Sequence, residues 1–409
     1  MRMAGERVGI WFIGAWGGVS TTVAVGLAAL QKGLGDEAGL VTAMPLFAGC
    51  DLADWSRFTV GGHEIRDTSY AAAARELYEK SRVFSAEILS AVDETLAEFD
   101  RNVRPGTLIN VGRTIESFAS DETQKTQGET PAVAIARIIA DFTEFRENNN
   151  LEHVIVVNLA STEPPLDADA SKLSWAELSQ QLESAAESPV PASSIYAIAA
   201  MQAGCSHVNF TPSVGSNLPA IEELAIKTNS LHCGRDGKTG ETLLKSVLAP
   251  MFAARNLQVM SWVGHNIFGN MDGKVLDDPE NKASKVRSKD HLLTEILGYK
   301  PQSLVSIEYI ESLADWKTAW DHIHFKGFLG TQMTMQFTWQ GCDSLLAAPL
   351  VLDLVRLTER ERRRGTSGVM SHLASFFKSP MGIDVPEFAK QFEILERWVA
   401  EVEAETETA

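Results

Sequence analysis

The chain has 409 residues, 44% of them hydrophobic, and a formal charge of 36 − 54 = −18. That length and apolar content support a sizeable core and two or three domain-sized units. A surface this acidic argues against nucleic acid or an anionic membrane as the main partner, and no apolar run reaches the length of a membrane span.

Residues 8–13 form a short apolar run suited to a buried strand. Gly14, Gly17 and Gly18 follow, then Ser20 and a stretch at helical spacing. Strand, glycine turn and helix is the layout of a dinucleotide site, in which the helix N-terminus offers free N–H groups to a pyrophosphate. The spacing is not the standard one, and a purely structural turn fits as well. The glycines and the helical continuation argue against a signal peptide over residues 1–31. Residues 40–47 read as a second strand leading to Asp51, an acid placed to hold an adenosine ribose although later than the usual offset. Residues 68–100 read as helical.

Further along, 107–111 and 153–159 read as buried strands with a helix over 131–146 between them. The second runs into Ser161 and Thr162. Helical spacing covers 174–186, 193–203 and 218–226, and 207–213 reads as a strand ending in Thr211 and Ser213. Repeated β–α alternation predicts a mostly parallel sheet with helices on both faces, with ligand contacts at the strand ends. Asp236, Lys238, Thr239, Gly240 and Thr242 precede a helix to about residue 254. They suit an anion cradle or a simple turn, and the spacing is not that of a P-loop.

Strand 257–263 enters the stretch 263–289, dense in Asn, Asp, Gly and Lys. Asn266, Asn270 and Asp272 stand among glycines, followed by Lys285 and Lys289 spaced i, i+4. Both a solvated loop and a site fit this composition. Like charges at that spacing repel slightly, so the pair makes sense with an anion between them, although Asp278 and Glu280 offer neutralisation too. Strands over 303–310, 322–325 and 331–339 carry aromatic residues, as in an interaction sheet. His322 and His324 read as a structural pair rather than metal ligands, with no third ligand in sight. A helix opens at Asp343 and runs to about Arg364, with the basic run 360–364 expected on its solvated end. Helices over 371–379 and 385–402 precede an acidic tail, 401–409, expected to fray. The cysteines Cys50, Cys205, Cys233 and Cys342 lack metal or redox spacing and read as reduced thiols of a cytoplasmic protein.

Five blocks in one order resemble the myo-inositol-1-phosphate synthase (inositol-3-phosphate synthase) family: 158–163, 209–219, 234–242, 266–289 and 343–352. Each is weak alone; the ordered set is specific. Three departures stand out. The glycine turn lacks the family's Asn-Asn pair, Arg235 replaces an acid, and Glu241 stands where many members have Gln. The resemblance implies an α/β fold: a Rossmann-like, doubly wound NAD-binding domain (1–242), an α+β catalytic and tetramerisation domain (243–342), and C-terminal helices returning to the first (343–409). It implies NAD as cofactor, a divalent or monovalent cation as an open question, glucose 6-phosphate as substrate and a homotetramer as assembly.

The implied reaction is oxidation at C5, enolisation at C6, aldol closure onto C1 and re-reduction, yielding an inositol phosphate without net redox change. Enolate and aldol oxyanions require preorganised positive charge in a dry pocket. By resemblance Lys285, Lys289, Lys317, Lys378 and Asp272 are catalytic. Gly14, Gly17, Gly18, Ser20, Asp51, Ser161, Thr162, Thr211, Asp236, Asn270 and Asp343 hold the cofactor. Lys238, Thr239, Gly240, Thr242 and Asn266 hold the substrate phosphate. Residues 274–284 read as a segment that orders on ligand binding. A sibling carbocyclase closing a five-membered ring from fructose 6-phosphate is the alternative, motivated by Arg235 and Glu241. A plain dehydrogenase would leave the lysine set without a role, and a non-catalytic scaffold would rest on the aromatic sheet alone.

Overall fold

The computed structural model describes residues 7–166, 169–276 and 292–408. A seven-stranded, all-parallel sheet runs in the order β11-β6-β5-β4-β1-β2-β3. Its centre is β1 (Val8–Ile13), buried along its whole length and paired on one side with β2 (Phe58–Glu64) and on the other with β4 (His153–Asn158). Strands buried on both faces read as continuous apolar runs, which is why β1 and β4 are legible. The remaining strands are β3 (Val103–Pro105), β5 (Ser206–Asn209), β6 (Leu231–Gly234) and, last in the chain, β11 (Gly368–Val369).

Each face carries its own core. Helix Gly18–Gln31 packs against helix Asp343–Arg363 on one side, in a core to which the C-terminal helix Phe388–Thr408 also contributes. Helices Pro131–Asn148 and Ala192–Gln202 cover the other. This is the doubly wound arrangement.

A second sheet, ordered β10-β9-β7-β8, lies beyond helix Gly240–Ala254. It comprises β7 (Gln258–Phe268), β8 (Gln302–Tyr309), β9 (Trp316–Lys326) and β10 (Gln332–Cys342). β7 runs parallel to β8 and antiparallel to β9, with Gly264 opposite Val305 and Asp321. Phe252 of the helix meets Trp262, Ile323 and Phe325 in a small separate core.

Several expectations are corrected. Residues 40–47 form two 3-10 turns, Val41–Ala43 and Pro45–Phe47, not a strand. Their backbone donors are spent on a helix carboxylate: Val41 N–H and Thr42 N–H donate to Asp353 at 2.7 and 2.9 Å. The second strand is β2, hidden in the sequence by Gly61 and Gly62. A Cβ at Gly62 would stand 2.5 Å from the Phe12 carbonyl oxygen, so the close strand approach needs glycine there. Residues 107–111 are loop rather than strand, because β3 ends at Pro105. Segment 68–100 divides into helices Tyr70–Ser81 and Ala86–Asp100, broken at left-handed Arg82 and restarted by the Ser85 cap. The stretch beginning at residue 263 is strand as far as Phe268 before a helix, Met271–Leu276.

The run Arg360–Arg364 is not solvated. Arg360 is buried on the Cys50 carbonyl at 2.8 Å, Arg362 pairs with Glu152 at 2.6 Å, and Arg364 pairs with Glu405 at 2.7 Å. That last pair helps hold the acidic tail helical through Thr408 rather than frayed. All four cysteines are buried and free. Among the described residues no helix is long and apolar enough to cross a membrane.

Candidate active site

The site is built outward from the glycine turn. Gly14 sits at φ +81, where L side chains are strained, and a Cβ there would stand 3.0 Å from the Ala160 backbone. Gly14 and Ala15 donate N–H bonds to the His63 carbonyl, tying the turn to β2. Gly17 caps helix Gly18–Gln31 with no side-chain acceptor, which leaves first-turn N–H groups for a ligand. Ser20 supports the turn from inside the helix: its hydroxyl donates to the Gly14 carbonyl at 2.7 Å, and it does not line the cavity.

A cavity of about 750 Å³ opens at the C-terminal ends of the strands, lined at one end by Gly14, Gly17 and Gly18. This is the crevice where open α/β sheets take ligands. Asp51 does not belong to it. It is exposed, left-handed at φ 49, and paired with Arg363 at 2.8 Å. The acid that closes the second strand is Glu64, which lines the cavity and accepts from Trp16 N–H at 2.8 Å and from Arg66 at 2.9 Å. Burial pushes the Glu64 carboxyl up, but Arg66 outweighs it and holds the pKa below the usual value. Sequence reasoning missed Glu64; the only local signal for it is an acid directly after the Gly61, Gly62, His63 run.

Ser161, Thr162 and Thr211 line the cavity at the ends of β4 and β5. The Thr162 hydroxyl is buried without a protein partner. Thr211 is held by Asn209 at 2.9 Å and by Asn158 at 3.2 Å. Opposite stand two lysine–carboxylate pairs. Lys378 Nζ lies 2.7 Å from Asp236 Oδ1, and Lys317 Nζ lies 3.3 Å from Asp343 and 5.0 Å from the Phe268 ring centre. Asn270 lines the same cavity and donates to Asp315 at 3.3 Å.

Asp315, absent from the expected set, is a buried hub. Its carboxylate accepts from Cys342 Sγ at 2.6 Å and from Ser344 N–H and Oγ at 3.0 Å. Burial pushes its pKa up against the pull of those bonds. Its signal was the Asp-x-Lys spacing to Lys317.

Beside the lysines a small recess is lined by Thr239, Glu241, Thr242, Asn266, Lys317 and Lys378. Gly240, at φ +55, opens the helix behind it. Lys238 does not face the recess. Its ammonium is buried against the Gln391 side-chain oxygen and lies 5.8 Å from the Phe388 ring centre, because the C-terminal helix draws it away. Burial and the neighbouring charge of Lys378 push its pKa down to about 7. Asn266 sits within β7 and donates to Glu241 at 2.5 Å. Asp272 lies in helix Met271–Leu276. Lys285 and Lys289 lie outside the described residues, as does most of 274–284. Among the described residues no group of three His, Cys, Asp or Glu side chains is placed to hold a metal ion.

Glu163 forms part of the cavity wall, accepting from Ser193 N–H at 2.8 Å and Ser193 Oγ at 2.5 Å. Burial pushes its pKa up from 4.5 to about 7, against the pull of those bonds. An acid with a raised folded-state pKa binds more protons folded than unfolded, so it removes stability as pH rises between about 4.5 and 7. Glu163→Gln should flatten that slope. Melting temperatures of both proteins from pH 5 to 8 check this, and parallel curves would refute it.

Comparison with known proteins supplies the family. A family model described as myo-inositol-1-phosphate synthase, of the NAD-binding type, matches residues 8–400. Inositol-3-phosphate synthase 1 of Bacteroides thetaiotaomicron is 31% identical over 405 residues, covering 93% of this chain and 91% of its own. Inositol-3-phosphate synthase 1-A of Xenopus laevis is 31% identical over 288 residues, covering 68% of this chain and 51% of its own. In fold, the chain is similar to the crystal structure of inositol-3-phosphate synthase from Caenorhabditis elegans. The TM-score is 0.85 at 24% identity, over 97% of this chain and 86% of that one. The ordered motif blocks, the doubly wound sheet and these matches agree: the chain belongs to the myo-inositol-1-phosphate synthase family.

Proposed function

We propose that the protein converts D-glucose 6-phosphate into 1L-myo-inositol 1-phosphate by oxidation at C5, enolisation at C6, aldol closure onto C1 and re-reduction. One observation carries the reading. Two lysine–carboxylate pairs, Lys378–Asp236 and Lys317–Asp343, face a cavity whose other end is a glycine turn and an uncapped helix N-terminus. NAD, when bound, accepts a hydride and returns it. The free N–H groups at Gly18 and the unpartnered Thr162 hydroxyl suit such a dinucleotide.

In this reading residues 1–242 and 343–409 hold the cofactor and also supply Asp236 and Lys378 to the reacting end, while residues 243–342 bring Lys317 and a tetramer interface. Asp236 orients Lys378 to move a proton at the reacting carbons. Lys317, steadied by Asp343 and the Phe268 ring, stabilises developing negative charge on the sugar oxygens. Thr239, Gly240 and Thr242 meet the phosphate at a helix start, and Lys285 and Lys289, outside the described residues, keep the catalytic role that the family resemblance implies. The four free cysteines suit the reducing cytoplasm.

The test is incubation with NAD+ and glucose 6-phosphate deuterated at C5, with products identified by NMR. Inositol phosphate retaining deuterium, without NADH accumulation, is the expected result; steady NADH release would overturn the reading. Glu241 in the recess wall favours a second reading, a sibling carbocyclase. Turnover of fructose 6-phosphate but not glucose 6-phosphate would select it.

A further inference from the structure

The recess beside the cavity has a carboxylate in its wall. Glu241 lies in the first turn of helix Gly240–Ala254, nearly fully buried, with its side chain lining the recess. One turn on, Lys245 is equally buried, its ammonium 2.5 Å from Glu241 Oε1 and 5.9 Å from the Trp262 ring centre. Asn266 donates to Glu241 at 2.5 Å, and a Cβ at Gly264 would stand 2.5 Å from the carboxylate. The carboxylate is therefore clamped in place by helix and strand.

The facing charges are Lys317 and Lys378 in the lining, each with its own carboxylate partner, Asp343 at 3.3 Å and Asp236 at 2.7 Å, and Asp321 behind Gly264, where it accepts from Trp262 Nε1 at 2.7 Å. A recess with two lysines, threonine hydroxyls and a helix N-terminus would hold any dianion firmly. Glu241 opposes that field with one negative charge, which cancels the buried charge of Lys245 that would otherwise add to it. Binding that is equally tight in ground and transition states raises no turnover number, so a weaker phosphate grip raises KM without lowering kcat.

We propose that Glu241 is a specificity-determining residue: paired with Lys245, it weakens the recess for free dianions, so that a phosphate is held only together with the sugar that carries it. The inference rests on the reading of this recess as the phosphate site. It names the ligand class the site rejects: small inorganic dianions.

The probe is inorganic sulfate, a dianion throughout the neutral range. Its binding is read from the sulfate-dependent rise in melting temperature and from competitive inhibition against glucose 6-phosphate. Glu241→Gln keeps the shape and the Asn266 contact, and should tighten sulfate about tenfold while lowering KM for the sugar phosphate. Lys245→Met should weaken sulfate several-fold. Sulfate affinity in E241Q equal to or below that of the unmodified protein would overturn the proposal. If E241Q fails to melt cooperatively, K245M decides, and unchanged sulfate binding in it would overturn the proposal. Melting shifts need no turnover. A protein inert toward glucose 6-phosphate that shows the expected sulfate series would sink the cyclase reading and keep this one; normal turnover with a flat series would do the reverse.

Discussion

Lys378→Met should reduce kcat for inositol phosphate formation by about 10²–10⁴-fold, the usual range for removing a positioned acid–base group. Methionine keeps the unbranched stem and removes only the ammonium. Lys378 is placed by two bonds to one residue: its N–H donates to the Asp236 carbonyl at 2.6 Å and its Nζ donates to the Asp236 carboxylate at 2.7 Å. Asp236 is itself held left-handed at φ 61. Asp236 is buried, so stranding its carboxylate should also lower the melting temperature, and kcat must be read on protein that is still folded. Single-turnover measurements locate the loss: the chemical step should slow by that factor, and KM should rise as well, because Lys378 also lines the recess that takes the phosphate. An unchanged kcat would remove Lys378 from the reacting carbons.

Asp315→Ala should destabilise the fold by about 2–4 kcal/mol. The estimate sums an unsatisfied helix-start donor and the stranded buried partners. Asp315 precedes β9 and caps helix Asp343–Arg363 from outside, accepting from Ser344 N–H, Ser344 Oγ and Cys342 Sγ. Its own N–H reaches Ser81 at the end of helix Tyr70–Ser81. It therefore ties the second sheet to both helices flanking the glycine turn, and a Cβ on Gly18 would stand 2.8 Å from the same Ser344 hydroxyl. Asp315→Asn should recover only part of the loss, because donors converge on both oxygens and an amide supplies one acceptor. Urea unfolding of the three proteins measures this, and a difference below about 0.5 kcal/mol for the alanine variant would show that the hub is replaceable.

Glu241 and Lys245 show where local reading stopped short. Their i, i+4 spacing was as visible as that of Lys285 and Lys289, and opposite charges at that spacing attract. Glu241 stands out as a departure from the family pattern, whereas no local pattern announces the burial of Lys245. Lys238 failed for the opposite reason. Its place beside Thr239 suggested the phosphate, but Gln391, 153 residues on, takes its ammonium. Asp51 failed on strand assignment: an apolar run containing Pro45 outscored a true strand containing two glycines.

By itself the sequence determined the β–α alternation, the buried strands β1 and β4, the glycine turn and the family, because apolar periodicity and motif spacing are properties of short, contiguous stretches. Only the tertiary structure decided that Glu64 and not Asp51 closes the second strand, that Asp315 caps a helix it does not belong to, and that Lys238 is buried against the C-terminal helix while Lys378 faces the cavity. The physical reason is common to all three. Where a charged side chain points is set by which buried partner repays its desolvation, and those partners lie on other elements of the fold.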